Sequence, residues 1–379
     1  MIYIFLIAVL LFGSVYYNDK RPDKGNIYLI IEYLVIVLIF GLRYKVGGDT
    51  CVYFYQYDEW PTLDEFQRIG YESERFNIGW VLLSGISKLI YNDFATLQIL
   101  QSAIVNAAFF YFFKKHVPNY FTAILFYGLM YMLTFNTELM RASLAISVFL
   151  FGFDFYLKRK WVQYYLLAIV AFLFHNEAVM MMALPVCVLL SKIKTNLFNL
   201  TILLLICVVS VLIFDVTPYL LSVLSVSERV LSTLENYTEM TNQANVNGFI
   251  AQTFYMMPWF LFLWLSKNHR NLYWRGFIIL FIFFSYQQLR YLEVMVRACD
   301  FLYPFTIVAM CYGCRVLKRN VDFLMKSAIV VCLCIAISVR LYGFIANEHW
   351  KLFYPYSSVF SPQENSERES LVDEFQQID

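Results

Sequence analysis

The residues of this chain that can do chemistry are a few charges set among long apolar runs. Arg141 opens one run, His175 interrupts another, and Arg290, Glu293 and Arg297 lie between two more. A charge at membrane depth is costly, so its retention points to function. A guanidinium suits a phosphate, which its fork of donors can grip in two places. The segment Gly41-Leu-Arg-Tyr-Lys-Val-Gly-Gly-Asp-Thr adds Gly47 and Gly48, flanked by Arg43 and Asp49. Paired glycines permit positive φ and bring backbone N–H groups close to an anion. The same residues also read as a plain turn at a helix end, with Asp49 capping the next helix.

Asn136-Thr-Glu-Leu-Met-Arg141 sets Glu138 three residues before Arg141. That spacing suits a local ion pair, an arginine snorkelling to the interface, or an anion-binding arginine in a polar cavity. His175 stands in Phe-His-Asn-Glu-Ala, followed by Asn176 and Glu177. Near neutral pH it can act as a base or a hydrogen-bond donor, and the plain alternative is a buried ring satisfied by a backbone carbonyl. Arg290, Glu293 and Arg297 have i, i+3, i+7 spacing, one stripe of a helix. Two guanidiniums about two turns apart, ~10 Å by helical rise, would span a pyrophosphate and the sugar beside it. The alternative is an edge helix with an internal Arg–Glu pair. Gly-Lys-Ser/Thr phosphate loops, Gly-x-Ser-x-Gly, His-Glu-x-x-His and the dinucleotide glycine fingerprint are all absent from the sequence. No metal site is expected: His116, His269 and His349 lie in other loops, and Cys311-x-x-Cys314 sits in an apolar run as packing.

The elements that must position these residues are membrane helices. Sixty per cent of the 379 residues are hydrophobic and 15% charged, with net charge +1. A soluble domain needs far more polar surface, and no basic face suits nucleic acid. Apolar runs fall at roughly 2–17, 27–42, 78–91, 94–113, 119–135, 141–157, 161–174, 177–190, 197–214, 249–265, 276–288, 298–314 and 324–345. Several are shorter than the ~20 residues of a straight span, so the expectation is an all-α polytopic protein with about 12–14 transmembrane helices. The run 2–17 reads as a retained helix, since it has no basic n-region. One transmembrane domain, 1–346, carries polar loops at 43–77 and 215–248, and a polar tail covers 347–379. Lys114-Lys115, Lys158–Lys160, Lys192/Lys194, Lys267/Arg270/Arg275 and Arg315/Lys318/Arg319 alternate with poorly charged loops. Placed in the cytoplasm, they put Asn136–Arg141, His175, the 215–248 loop and the 289–297 segment on the external face. A re-entrant 78–91 brings the 43–77 loop to the same face.

In their order, Gly41-Leu-Arg-Tyr-Lys-Val-Gly-Gly-Asp-Thr, Met140-Arg-Ala-Ser-Leu-Ala, Lys158-Arg-Lys and Phe174-His-Asn-Glu-Ala resemble the EpsG-like family of Wzy-type O-antigen and exopolysaccharide polymerases. The resemblance covers roughly residues 1–310; the family has Ser near the position of Asn176 or Glu177, and Glu177 departs from that. It implies a multi-pass bacterial inner-membrane enzyme with its active site facing the periplasm. Such an enzyme moves a glycan from undecaprenyl pyrophosphate to the terminal sugar of a lipid-linked repeat unit, with no metal or cofactor. The implied partners are the lipid-linked donor and acceptor, membrane lipid, a chain-length regulator and a flippase. On this reading Arg43, Gly47, Gly48, Arg141, Arg290 and Arg297 hold the pyrophosphate. His175, Asp49, Glu138 or Glu177 serves the acceptor hydroxyl, with Glu293 and Asn176 in support. The competing readings are an O-antigen ligase, a lipid-linked oligosaccharide flippase or other transporter, and a membrane acyltransferase.

Overall fold

The apolar runs fold as helices. The computed structural model describes residues 1–18, 22–69, 77–213, 246–269, 272–319, 321–346 and 348–378. Among the described residues the only strand-like pairing is two isolated bridges, Arg43 with Ser358 and Ser358 with Ser361. Phe94–His116, Val246–Leu265 and Phe323–Ala346 are each long and apolar enough to cross a membrane, and shorter apolar helices accompany them. Large apolar side chains such as Phe5, Leu11, Leu34 and Leu38 face outward. Such a surface is stable against lipid and not against water. The protein is an all-α polytopic membrane protein.

The chain forms two compact units, 1–182 with 340–379, and 183–339. In the first, α1 (Ile2–Tyr16), α2 (Pro22–Gly41), α3 (Gly48–Gln56), α4 (Leu63–Ile69) and α5 (Ile78–Ile90) lead into α6 (Phe94–His116). With 13 residues, α5 is only ~20 Å long, well short of the ~30 Å hydrocarbon core. The sequence run 119–135 is divided into α7 (Tyr120–Met130) and α8 (Met132–Thr137), and the run 141–157 into α9 (Met140–Phe151) and α10 (Phe153–Leu157). The breaks fall at Tyr131, with φ −135° and ψ −14°, and at Gly152, which packs on Leu167. After α11 (Trp161–Phe172), the run 177–190 opens as a 3₁₀ turn, Asn176–Val179, followed by α12 (Met180–Ala183).

Packing between helices in lipid has little hydrophobic drive, so polar bonds and small residues hold such bundles together. Here α6 packs against α2, α5, α7, α8 and α9. Asn106 Nδ2 donates to Asn136 Oδ1 at 2.7 Å, Ser102 Oγ bonds the same oxygen at 3.1 Å, and Asn136 Nδ2 donates to Met132 O at 2.8 Å. Gln101 Nε2 donates to Phe135 O at 3.2 Å and Ser143 Oγ at 3.1 Å. These fully buried groups stitch α6 to the α8–α9 junction that carries Glu138 and Arg141.

The second unit contains α13 (Val186–Leu190), which starts after Pro185, and α14 (Leu197–Ile213). Then come α15 (Val246–Leu265), α16 (Trp274–Gln287), α17 (Leu292–Asp300) and α18 (Tyr303–Leu317). Helix α16 is its hub, packed on α13, α14, α15, α17 and α18. Gly276 allows the backbone of Cys187 to approach, and the Phe277 and Phe305 rings stack at 3.6 Å. Most of the expected 215–248 loop and residues 70–76 of the 43–77 loop lie outside the described residues.

Over 348–378, the described part of the segment expected as a polar tail, the chain is folded. A long α19 (Phe323–Ala346) leads into a 3₁₀ turn, His349–Leu352, and into α20 (Ser366–Ile378), which packs on α3. Leu352, Phe353 and Val372 bury themselves against Val46 and Cys51.

Candidate functional site

The glycine loop comes after the end of α2 and is shaped by residue type. Gly47 has φ 100° and ψ 152°, a conformation that favours glycine, and any Cβ there would collide with Thr137. Its N–H donates to Leu352 O at 2.9 Å. A Cβ on Gly48 would meet nothing within 4 Å, so that residue borders open space. Asp49 lies in the first turn of α3, and its Oδ2 accepts the Met140 N–H at 3.2 Å. Asp49 is thus a cap, but for a helix that begins 91 residues later. Thr50 Oγ1 accepts from Arg43 Nε at 3.0 Å and reaches Thr137 O at 3.4 Å. The glycine loop and the 136–141 segment are therefore one local structure.

Arg43 is only 1% exposed. Its donors go to Thr50, to Phe40 O and to Met140 Sδ. Burial pushes its pKa down to about 9, still on the charged side at neutral pH. In this arrangement Arg43 braces the loop from within.

Arg141 is the second residue of α9 and is half-buried. Its Nε donates to Tyr53 Oη at 2.7 Å, and the guanidinium lies 5.6 Å from the Tyr53 ring centre. Tyr53 is wedged against Trp60 and Trp80, with ring centres 5.8 and 5.3 Å away. The local Glu138–Arg141 pair that the spacing suggested does not form. Leu139 has φ −113° and ψ 47°, so the two residues are not on one helix, and Glu138 instead faces His349 Nδ1 at 3.6 Å.

His175 occupies the break after α11 in extended backbone, φ −156° and ψ 140°. Its Nδ1 accepts the Glu177 N–H at 3.3 Å, and the Glu177 carboxylate lies 3.6 Å from the same nitrogen. A neutral ring whose Nδ1 accepts carries its proton on Nε2 and presents that N–H as a donor. Asn176 Oδ1 accepts from Asn77 Nδ2 at 2.7 Å, and the Gly79 N–H donates to Leu173 O at 2.7 Å. A Cβ at Gly79 would come within 2.7 Å of that carbonyl oxygen, so only glycine lets the two segments meet. The start of α5 thus docks on the His175 turn, and the next residue, Trp80, packs on the Tyr53 that holds Arg141. The 3₁₀ turn of Asn176 also packs against α9. Gly47, Gly48, Asp49, Glu138, Arg141 and His175 sit on contiguous elements of the first unit.

Arg290, Glu293 and Arg297 belong to the second unit. The expected three-residue stripe does not form, because Tyr291, at φ −121° and ψ 70°, interrupts the helix and α17 starts only at Leu292. Arg290 lies in the preceding turn and donates to Val211 O at 3.3 Å, whereas Glu293 and Arg297 lie within α17.

Four residues not singled out from the sequence belong beside the first group. Tyr53 orients Arg141 and His349 faces Glu138. Lys45, at φ 48°, places its Nζ 2.8 Å from Glu364 Oε2 and 3.0 Å from Glu369 Oε1 and bonds Tyr55 Oη. Burial works against that ammonium, but its bonds to Glu364, Tyr55 and Glu369 outweigh the cost and hold it above the usual lysine range. Arg368 is 1% exposed and donates to Lys45 O at 2.7 Å and to Pro355 O. Lys45 was present in the glycine segment, but nothing in local spacing connects it to the C-terminal residues.

Among the described residues no group of three or more His, Cys, Asp or Glu side chains is placed to hold a metal ion. The EpsG family profile matches residues 26–358, which includes every candidate residue of the site region except Arg368, Glu364 and Glu369. No curated protein and no solved structure matches the chain.

Proposed function

The chain belongs to the EpsG family, and on that footing we propose that it is a polysaccharide polymerase of the O-antigen or exopolysaccharide type. In this reading it joins undecaprenyl-pyrophosphate-linked repeat units at the periplasmic face of the bacterial inner membrane. The observation that carries the reading is the junction of the glycine loop with Arg141, made through Asp49 and Met140. It sets a guanidinium, aimed by Tyr53, beside a backbone turn that borders open space at Gly48.

The chemistry follows from those parts. A hydroxyl of the acceptor's terminal sugar attacks the anomeric carbon of the donor glycan. The bond from that carbon to the pyrophosphate oxygen breaks, the pyrophosphate leaves with the electron pair, and the hydroxyl proton passes to a base. Negative charge builds on the leaving oxygens, where a fixed cation in a poorly hydrated site contributes most. Arg141 supplies that cation. His175, as an Nε2–H donor, orients an acceptor oxygen, and with Asp49 engaged as the cap of α9 the carboxylates of Glu138 and Glu177 are the bases within the same unit.

The test is the purified protein incubated with lipid-pyrophosphate-linked repeat units, with products resolved by size. A ladder of polymers supports the reading. A single transfer to a lipid A-core acceptor makes it a ligase, and movement of substrate across a vesicle bilayer without a new glycosidic bond makes it a transporter.

A further inference from the structure

The C-terminal segment is a built part of the site region. Between Leu42 and Gly47 the loop's backbone is met repeatedly by residues 352–368. Gly47 N–H donates to Leu352 O at 2.9 Å, Tyr44 N–H to Ser357 O at 2.9 Å, and Val359 N–H to Leu42 O at 3.0 Å. Arg368, fully buried, spans two carbonyls with one guanidinium, Lys45 O at 2.7 Å and Pro355 O. Lys45, itself 6% exposed, is held by Glu364 and Glu369. An arginine and a lysine at these depths are retained only when bonded. They are bonded to one another's segments, and the loop they fix carries Gly47, Gly48 and Asp49. His349, from the same stretch, faces Glu138.

We propose that the C-terminal segment 349–369 is a clamp that positions the glycine loop for the transfer reaction, with Arg368 as its positioning residue. The role in the reaction rests on the polymerase reading; the clamp itself does not. A chain of contacts links the clamp to Arg141. Arg368 fixes Lys45 O, the loop carries Asp49, Asp49 caps Met140, and Met140 precedes Arg141. Removing the clamp frees the turn at Gly47 and loosens the cap on α9 while leaving the membrane helices packed.

Cys51 is a native reporter of this arrangement. Its thiol is 2% exposed, donates to Lys45 O at 3.3 Å, the oxygen that Arg368 also holds, and lies under Leu352, Phe353 and Val372. The experiment uses the whole chain with the other seven cysteines replaced by Ser, Cys51 retained, and a water-soluble maleimide as the probe. Arg368→Ala is expected to speed Cys51 labelling about tenfold or more, the scale of losing a hydrogen bond to a charged group. Arg368→Lys, which keeps one bond of the two, is expected to fall between. Polymer made by cells carrying each variant in place of the native chain should fall in the same order, with the protein present at equal level in the membrane. Unchanged Cys51 labelling in Arg368→Ala overturns the clamp. Faster labelling with undiminished polymer overturns its role in positioning. Where Arg368→Ala does not accumulate, the pair Glu364→Gln with Glu369→Gln loosens Lys45 instead and is read in the same two ways. If the wild-type chain makes no polymer under any condition, the polymerase reading fails while the labelling result stands.

Discussion

Asp49 Oδ2 accepts the backbone N–H of Met140 at 3.2 Å, so the carboxylate after the paired glycines sits on the first turn of the helix that bears Arg141. An Asn at this position keeps the acceptor, whereas an Ala leaves the helix start uncapped at a cost of about 1 kcal/mol. Asp49→Asn is expected to keep its thermal stability and most of its polymer, and Asp49→Ala to lose both. Loss of polymer from an equally stable Asp49→Asn protein assigns the charge itself to the reaction.

The two adjacent glycines should behave differently. Gly47 combines φ 100° with contact against Thr137, and Gly48 faces open space. Gly47→Ala is expected to destabilise the protein by roughly 1–3 kcal/mol through strain in the positive-φ region. Gly48→Ala should be close to neutral in melting temperature. Equal effects of the two substitutions on thermal unfolding would refute this account of the loop.

Arg141 and Tyr53 should act as a pair. Arg141→Lys keeps the charge but loses the planar fork, so polymer output should drop by an amount matching about 2–4 kcal/mol of transition-state stabilisation. Tyr53→Phe removes the bond that aims the guanidinium and keeps the ring, and a milder loss is expected. The combination Tyr53→Phe with Arg141→Lys should be no worse than Arg141→Lys alone, since both act on one cation. Additive losses in initial rate would show that they work separately.

His175 offers a distinction between donor and base. With Nδ1 accepting the Glu177 N–H, a neutral ring carries its proton on Nε2. His175→Gln carries an amide N–H on a side chain of similar reach and should retain a measurable fraction of activity, while His175→Ala should make no polymer. The Ala variant must be compared for stability on the same preparation. A stable, fully active His175→Ala enzyme removes the residue from the reaction altogether.

Sidedness is open to direct measurement through Gly48. A cysteine there meets nothing within 4 Å. In a chain otherwise lacking cysteine, Gly48→Cys should react with an impermeant maleimide reaching the outer face of an intact inner membrane. Labelling seen only after that membrane is broken places the loop in the cytoplasm and ends the periplasmic assignment.

Much of this arrangement was readable from residue types alone. Lipid allows few backbone solutions, so the apolar runs marked the helices, and 94–113 and 324–345 reappear as Phe94–His116 and Phe323–Ala346. Charges placed against that background marked Arg141 and His175 for the same reason. What periodicity could not supply was where an apolar run breaks. Tyr131, Leu139 and Tyr291 carry no helix-breaking side chain; tertiary packing sets their non-helical angles, and the Arg290–Arg297 stripe failed on one of them. Nor could spacing find Lys45 with Glu364, or His349 with Glu138, because pairs so distant in sequence leave no repeating signal.

The distance from Lys45 to Glu364 is 319 residues, and in a growing chain that distance is time. At the usual 5–20 residues per second, the glycine loop is made roughly 15–60 s before the acidic residues that seat it. Through that interval the loop's lysine has no carboxylate from the C-terminal segment, while the helices between are being inserted one after another. A ribosome that stops before Glu364 therefore leaves a chain with its membrane helices in place and its loop unseated. On the clamp reading, synthesis of the 349–369 segment is what turns an inserted bundle into one with a seated glycine loop, so that loop is fixed only long after it has been made.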